Sequence, residues 1–152
     1  MSRASDVDAV VLASRALLAV VAHTISPALE ELSLPQFRVL VVLVGAGPHR
    51  VGALAERLGS VTSTFSRAVD RLEASGWVLR EPNPDSRREV IVSATPAARA
   101  LVERVTESRR AELGEILQPL SDDELARMAS AFRRFAEVAG EPALEDLLPL
   151  GG

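Results

Sequence analysis

A chain of 152 residues is long enough for one domain with a real core, and with only 3% aromatics that core must be built from Leu, Val and Ala, which favours helices. The absence of cysteine excludes disulfides, thiolate metal sites and thiol redox sensing, and two histidines, His23 and His49, are too few for most histidine-based metal sites. The formal net charge of −4 is unevenly spread: residues 48–100 carry eight Arg against six Asp and Glu (net +2), residues 101–152 carry six against eleven (net −5), and the first 47 carry three against four.

The first predicted element is a mostly buried helix over residues 6–25. Ser26-Pro27 is expected to interrupt it, because proline lacks a donor and disfavours helix in the residue before it. Arg15 splits the apolar stretch and Asp6 and Asp8 precede it. No uninterrupted apolar run therefore approaches a membrane span, and the flank is acidic where a signal peptide wants basic residues. A cytoplasmic protein without membrane contact is the expectation. Leu34-Pro35 opens a second helix with proline in its first turn, buried along Phe37, Val39, Leu40 and Leu43 and stopped by Gly45, Gly47 and Pro48. His49 reads as a surface turn residue, and Arg50 as either a DNA-backbone contact or a solvated loop arginine.

A short helix follows from Val51 to Leu58, with Leu54 and Leu58 on one face. Gly59-Ser60 forms a turn. The next helix is predicted from about Thr62 to Ser75. Its apolar residues Val61, Phe65, Ala68, Val69 and Leu72 recur at spacings of three and four, while Ser63, Thr64, Ser66, Arg67 and Arg71 lie off that face. Gly76 ends it. Trp77 to Glu81 reads as a strand, Pro82 to Ser86 as a turn, and Glu89 to Ala94 as a second strand. Thr95 as N-cap and Pro96 start a helix that runs to about Leu117. Pro119 breaks it, and Ser121-Asp122-Asp123-Glu124 is a capping box opening a last helix to about Ala139. The tail from Gly140 is apolar but broken by Pro and Gly. There is no internal repeat, linker or second domain.

Helix, turn, helix and a hairpin with Asp85-Ser86-Arg87-Arg88 at its tip make a helix-turn-helix followed by a basic wing. The fold class expected is mainly α with a small β wing. The hydroxyls of Ser63, Thr64 and Ser66 suit close contact with phosphate or base edges in the major groove, and a helix N-terminus adds partial positive charge. Arg67 reaches a base edge or a phosphate. Arg71 reaches phosphate or pairs with Asp70, Glu73 or the wing. Arg87 and Arg88 suit a narrow minor groove, whose negative potential attracts arginine, and Asp85 is placed to orient one of them. The alternative is a solvated charged turn. Trp77 reads as core, and the Arg109-Arg110 and Arg133-Arg134 pairs as solvated faces. No Gly-rich phosphate loop and no supported Ser/His/Asp set appears, so neither an enzyme nor a cofactor or metal is expected.

The run from Pro35 to Leu101, in particular LAERLG, the Ser63–Arg67 segment, VDRLEASGW and DSRRE followed by Thr95-Pro96, resembles the MarR family of bacterial transcriptional regulators. The likeness reaches nearly the whole chain through the flanking helices. It implies a single domain over 1–152, with a winged helix-turn-helix at 35–95 and dimerisation helices at 1–34 and 96–152. It also implies a homodimeric repressor that binds a short palindrome in double-stranded DNA near its own gene, often released by a small phenolic or aromatic-acid ligand. By position, Ser63, Thr64, Ser66 and Arg67 fall on the recognition helix, and Arg87 and Arg88 on the wing with Asp85 as brace. Three departures stand out. Val61 occupies a place where relatives have a capping Ser or Thr, leaving Thr62 to cap. Phe65 replaces a smaller aliphatic residue. Ser86 stands where many relatives have a second acid.

In this family the ligand cleft lies between the dimer helices and the winged helix. Arg15 and His23 on the first helix, and Arg38 on the second, therefore become candidates for holding an aromatic acid. Their other reading is structural ion pairing, between subunits or at helix ends. Two rival functions stay open: a winged-helix protein-interaction module without specific DNA binding, and a DNA binder that responds to no ligand.

Overall fold

The computed structural model describes residues 2–60 and 62–140. Chain order is α1 (Arg3–Leu29), α2 (Leu34–Ala46), β1 (His49–Arg50), α3 (Val51–Arg57), α4 (Thr62–Ala74), β2 (Val78–Asn83), β3 (Ser86–Ala94), α5 (Pro96–Leu117) and α6 (Asp122–Ala139). The mainly helical class with a small wing is what the sequence predicts. The Val61 position and the tail from residue 141 lie outside the described residues.

Three details differ from expectation. First, α1 does not stop at Ser26. It starts at an Ser2 cap and continues through Pro27 to Leu29. A proline one turn from a helix end withholds a single N–H from the carbonyl of residue 23, and the buried Ile25 and Ala28 on either side hold the turn in the core. Second, the sheet has three strands in the order β1-β3-β2. His49 and Arg50 pair antiparallel with Val92 and Ile91, so His49 is a strand residue whose Nδ1 lies 2.8 Å from the Gly47 carbonyl oxygen. Third, the wing turn is tighter. Asn83 pairs with Ser86, which leaves Pro84 and Asp85 as the tip and puts Ser86, Arg87 and Arg88 on β3. The cause is Asn83, whose Oδ1 accepts the Asp85 N–H at 3.0 Å in a side-chain-closed turn beside an irregularity between Pro82 and Asn83.

The core sits under the helix-turn-helix. Leu40 and Leu43 of α2, Leu54 of α3, Val69 and Leu72 of α4, Val78 of β2 and Val92 of β3 are essentially inaccessible, and Ala98, Leu101, Val102 and Val105 of α5 close the same cluster. Burying each such Leu contributes about 1.5–3 kcal/mol of transfer free energy. Phe65 is buried with them, so the residue that departs from the usual aliphatic is a core residue.

Both helices of the helix-turn-helix end in the same device. After α3, the Ser60 N–H reaches the Ala55 carbonyl and the Gly59 N–H the Glu56 carbonyl. After α4, the Trp77 N–H reaches Leu72 and the Gly76 N–H reaches Glu73. These are Schellman caps, and they need a left-handed residue, which Gly59 (φ 63°) and Gly76 (φ 77°) supply.

The outer helices are less complete. α1 packs on α5 and buries Val20, Thr24, Ile25 and Ala28, but its first half leaves Val7, Val10, Val11, Leu12 and Leu18 exposed. By length and hydropathy alone (mean 1.8 over its most apolar 18 residues) α1 is apolar enough to cross a membrane, although Arg15 interrupts the run. α6 buries no residue fully. Its Leu125, Met128, Phe132, Phe135 and Val138 recur at three- and four-residue spacing on one exposed face. Its start is the predicted capping box: Glu124 accepts the Ser121 hydroxyl at 2.7 Å and the Ser121 N–H at 2.9 Å, which holds the Glu124 carboxyl below the ordinary carboxylate range.

At Gly76 an added Cβ meets nothing within 4 Å, so substitution there costs backbone strain alone. We expect Gly76→Ala to lower stability by about 1–2 kcal/mol with an unchanged denaturant slope, read from urea unfolding at fixed protein concentration. No change in midpoint would mean that α4 ends in another way.

Candidate nucleic-acid interface

α4 carries three faces. Phe65, Val69 and Leu72 face the core. Ser66, Asp70 and Glu73 follow one position on and meet the wing. Arg67 and Arg71, four apart, lie off the buried face, exposed, and neither forms an ion pair among the described residues. The backbone of Ser63 and Thr64 lies in the first turn of α4 and that of Arg87 in β3, and their side chains fall outside the description. The capping expected of Thr62 falls there too.

A groove of about 620 Å³ separates α4 from the wing. Its walls are Val51, Gly52, Ala53 and Glu56 at the start of α3, Ser66 and Asp70 of α4, and Arg80, Arg88, Glu89 and Val90 of the wing, with Arg50 at the rim. Ser66 and Arg88, two of the sequence-predicted contact residues, thus share one surface. Asp85 is exposed at the wing tip and forms no ion pair with Arg88, because its own N–H is tied to Asn83 while Arg88 lies along the strand by the groove. The other expected partner of Asp85 is Arg87, whose side chain is not described.

What braces the wing is a cluster that sequence reading missed. The buried Asn83 donates from Nδ2 to Glu89 Oε2 at 2.9 Å, and Arg50 approaches Glu89 Oε1 at 3.3 Å, so one carboxylate links all three strands. Arg50 is therefore neither a loop arginine nor unpaired. A second cluster ties wing to helix: Arg80 on β2 reaches Asp70 Oδ1 at 2.6 Å and Glu73 Oε2 at 3.4 Å. Those are the acids that Arg71 was expected to share. Nothing at residue 80 signals this in the sequence, because the partners come from another element.

The ligand candidates separate. Arg15 is exposed on α1. His23, also exposed, is hydrogen-bonded through Nδ1 to Glu112 of α5 at 2.8 Å, within one chain. Arg38 lines a cavity of about 350 Å³ with Leu34, Pro35, Val39, Leu58, Phe65 and Ala68, between α2 and α4. Arg109 is not a solvated residue as expected: its Nε donates to the buried Thr24 Oγ1 at 3.3 Å, and burial pushes its pKa down. Among the described residues no group of His, Cys, Asp and Glu is arranged to hold a metal ion.

Comparison with known proteins agrees with this architecture. The MarR family model matches residues 32–90. The multiple antibiotic resistance protein MarR of Salmonella typhimurium is 31% identical over 99 residues, 64% of this chain and 69% of that protein. The chain covers 59% and 65% of the length of two Bacillus subtilis regulators that it also matches. Among solved structures, Rv1404 from Mycobacterium tuberculosis superposes with a TM-score of 0.81 at 38% identity, covering 94% of this chain and 97% of that one. A mutant MarR from E. coli complexed with operator DNA superposes with a TM-score of 0.59 at 25% identity, covering 84% and 91%. With the winged helix-turn-helix in place, the family model matched over residues 32–90 and a 31% identical MarR protein covered over 69% of its length, the chain belongs to the MarR family of transcriptional regulators.

Proposed function

We propose that this protein is a homodimeric, sequence-specific DNA-binding regulator of the repressor kind, acting in the cytoplasm through a winged helix-turn-helix at 35–95 and dimerisation helices at 1–34 and 96–152. The observation that carries the reading is the exposed Arg67 and Arg71 on the outer face of α4, beside a wing bearing Arg88, in the one net-positive segment of the chain. The relative solved with operator DNA supports it. Two recognition helices of a dimer would enter successive major grooves about 34 Å apart on a palindrome, with Arg67 and the hydroxyls of Ser63, Thr64 and Ser66 reading bases or phosphate. Arg71 would meet phosphate, and Arg87 and Arg88 the minor groove.

The test is selection of a preferred duplex from a random library, followed by fluorescence anisotropy against an unrelated duplex at several salt concentrations. Tight binding that resists competitor is expected, and Arg87→Ala with Arg88→Ala should weaken it and flatten its salt dependence by about two units of slope per chain. An unchanged slope removes the wing from the interface. Failure to select any duplex favours the protein-interaction module.

The dimer rests on the uncovered apolar surface of α1 and α6. Two apolar grooves of about 460 and 210 Å³ run between these helices, lined among others by Ala13, Leu17, Met128 and Phe132. A second copy covers such a surface. Sedimentation should show a dimer for the native chain and a shift to monomer for Phe132→Asp with Met128→Asp. A monomeric native chain would reverse the assignment.

The ligand response is supported by the Arg38 cavity, whose opposite wall is Phe65 and Ala68 of α4. An aromatic acid held there would act by preferring a spacing of the recognition helices that no longer fits DNA. Screening aromatic carboxylates by thermal shift should reveal one that raises the melting temperature, worth about 2.7 kcal/mol at 100 times its Kd, and Arg38→Met should abolish the rise. A panel with no effect leaves a ligand-independent binder.

A further inference from the structure

Among the described residues, Arg80 is the cation that ties the wing to α4. It sits on β2, in the wing, yet its guanidinium reaches across to α4 at three points one helical face apart. Nη1 is 2.6 Å from Asp70 Oδ1 and 3.4 Å from Glu73 Oε2, and Nη2 donates to the Ser66 main-chain carbonyl at 3.4 Å. Residues 66, 70 and 73 are spaced four and three apart, so one side chain spans two turns of the recognition helix on its wing side. Meanwhile Nε of the same group is buried without a partner. An unpartnered buried donor is a cost, accepted here for the reach across to α4.

Stability does not explain this arrangement well. Asp70 and Glu73 are 58% and 42% exposed, and ion pairs with exposed partners contribute little to folding. A planar, forked guanidinium instead fixes direction: it constrains where the helix lies relative to the strand that carries it. We propose that Arg80 is a positioning residue, which sets the angle of α4 against the wing and so makes the recognition helix fit one DNA sequence better than others. The proposal rests on the DNA-binding reading above.

Its distinguishing consequence is one of sign. Asp70 and Glu73 are negative charges on the helix assigned to DNA. By electrostatics alone, Asp70→Asn with Glu73→Gln should tighten binding to every duplex. If those acids serve to hold Arg80, the same variant should bind the library-selected duplex about tenfold more weakly, the loss of one well-placed base contact, while binding to the unrelated duplex is unchanged or tighter. Both acids are exposed, so this variant keeps its fold, checked by its melting curve. Arg80→Met should lose the same discrimination at an unchanged salt slope, and combining all three substitutions should add no further loss. Parallel tightening on both duplexes in the acid variant overturns the proposal. So does a salt slope lowered by about one in Arg80→Met, which would make Arg80 a phosphate contact. A native chain that selects no duplex overturns the DNA-binding reading itself, and the proposal with it.

Discussion

One hydroxyl holds the described architecture together at the point where α4, the wing and α5 meet. Thr95 Oγ1 donates to the Gly76 carbonyl at 2.8 Å, and lies 3.2 Å from the Trp77 carbonyl, while accepting the Ala98 N–H at 3.2 Å as the cap of α5. Its own N–H reaches the Trp77 carbonyl. The end of α4, the base of both long wing strands and the start of α5 therefore share one buried residue. Because donor and acceptor capacity are both used, an apolar replacement of the same shape would take a partner from the Gly76 carbonyl and from the Ala98 N–H at once. The Schellman cap at Gly76 is the other half of this junction, since only a left-handed residue there brings the Trp77 N–H back to Leu72.

Much of this was legible in the residues. The apolar spacing of Phe65, Val69 and Leu72 gives the buried face of α4, and with it the outer position of Arg67 and Arg71. Thr95-Pro96 and Ser121 with Glu124 give two helix starts, because capping depends on residues three apart and is a local matter. What escaped was long-range or short. β1 is two residues, too few for any period to register, and exists because β3 offers it an edge. The bond from Arg109 to Thr24 joins residues 85 apart in sequence. The wing turn was read too wide because Asn83 closes it with its side chain, which composition alone does not distinguish from an open loop. The link that Glu89 makes between the three strands is hidden for the same reason: a carboxylate's partner is set by register, and register is a property of the sheet.

The charge pattern gains meaning from these pairings. An overall charge of −4 is awkward for contact with a polyanion. Yet three of the acids near the proposed interface are already engaged: Glu89 by Arg50 and Asn83, Asp70 and Glu73 by Arg80. Their negative potential is met at short range, while Arg67 and Arg71 stand outside any described pair. Local neutralisation of this kind leaves a positive outer face without requiring a basic protein, and the surplus of acids is carried on residues 101–152, away from the winged helix in sequence.

The outer helices impose the remaining constraint. α1 is largely apolar, yet its buried residues all lie in its second half, and α6 presents five large apolar side chains with none buried. A surface of that size in water is costly, and roughly 25 cal/mol for each Å² covered favours any partner that fits it. A lipid bilayer would cover α1 by length, but it would take Arg15 into hydrocarbon and leave α6, with its alternating charged face, unaccounted for. A second copy, as in the proposed dimer, would cover both helices at once. α5 lines the larger of the apolar grooves through Leu113, Ile116 and Leu117, and it begins at Thr95. In the proposed dimer, the packing of α1, α5 and α6 would then reach the spacing of the two α4 helices through the junction at Gly76 and Thr95.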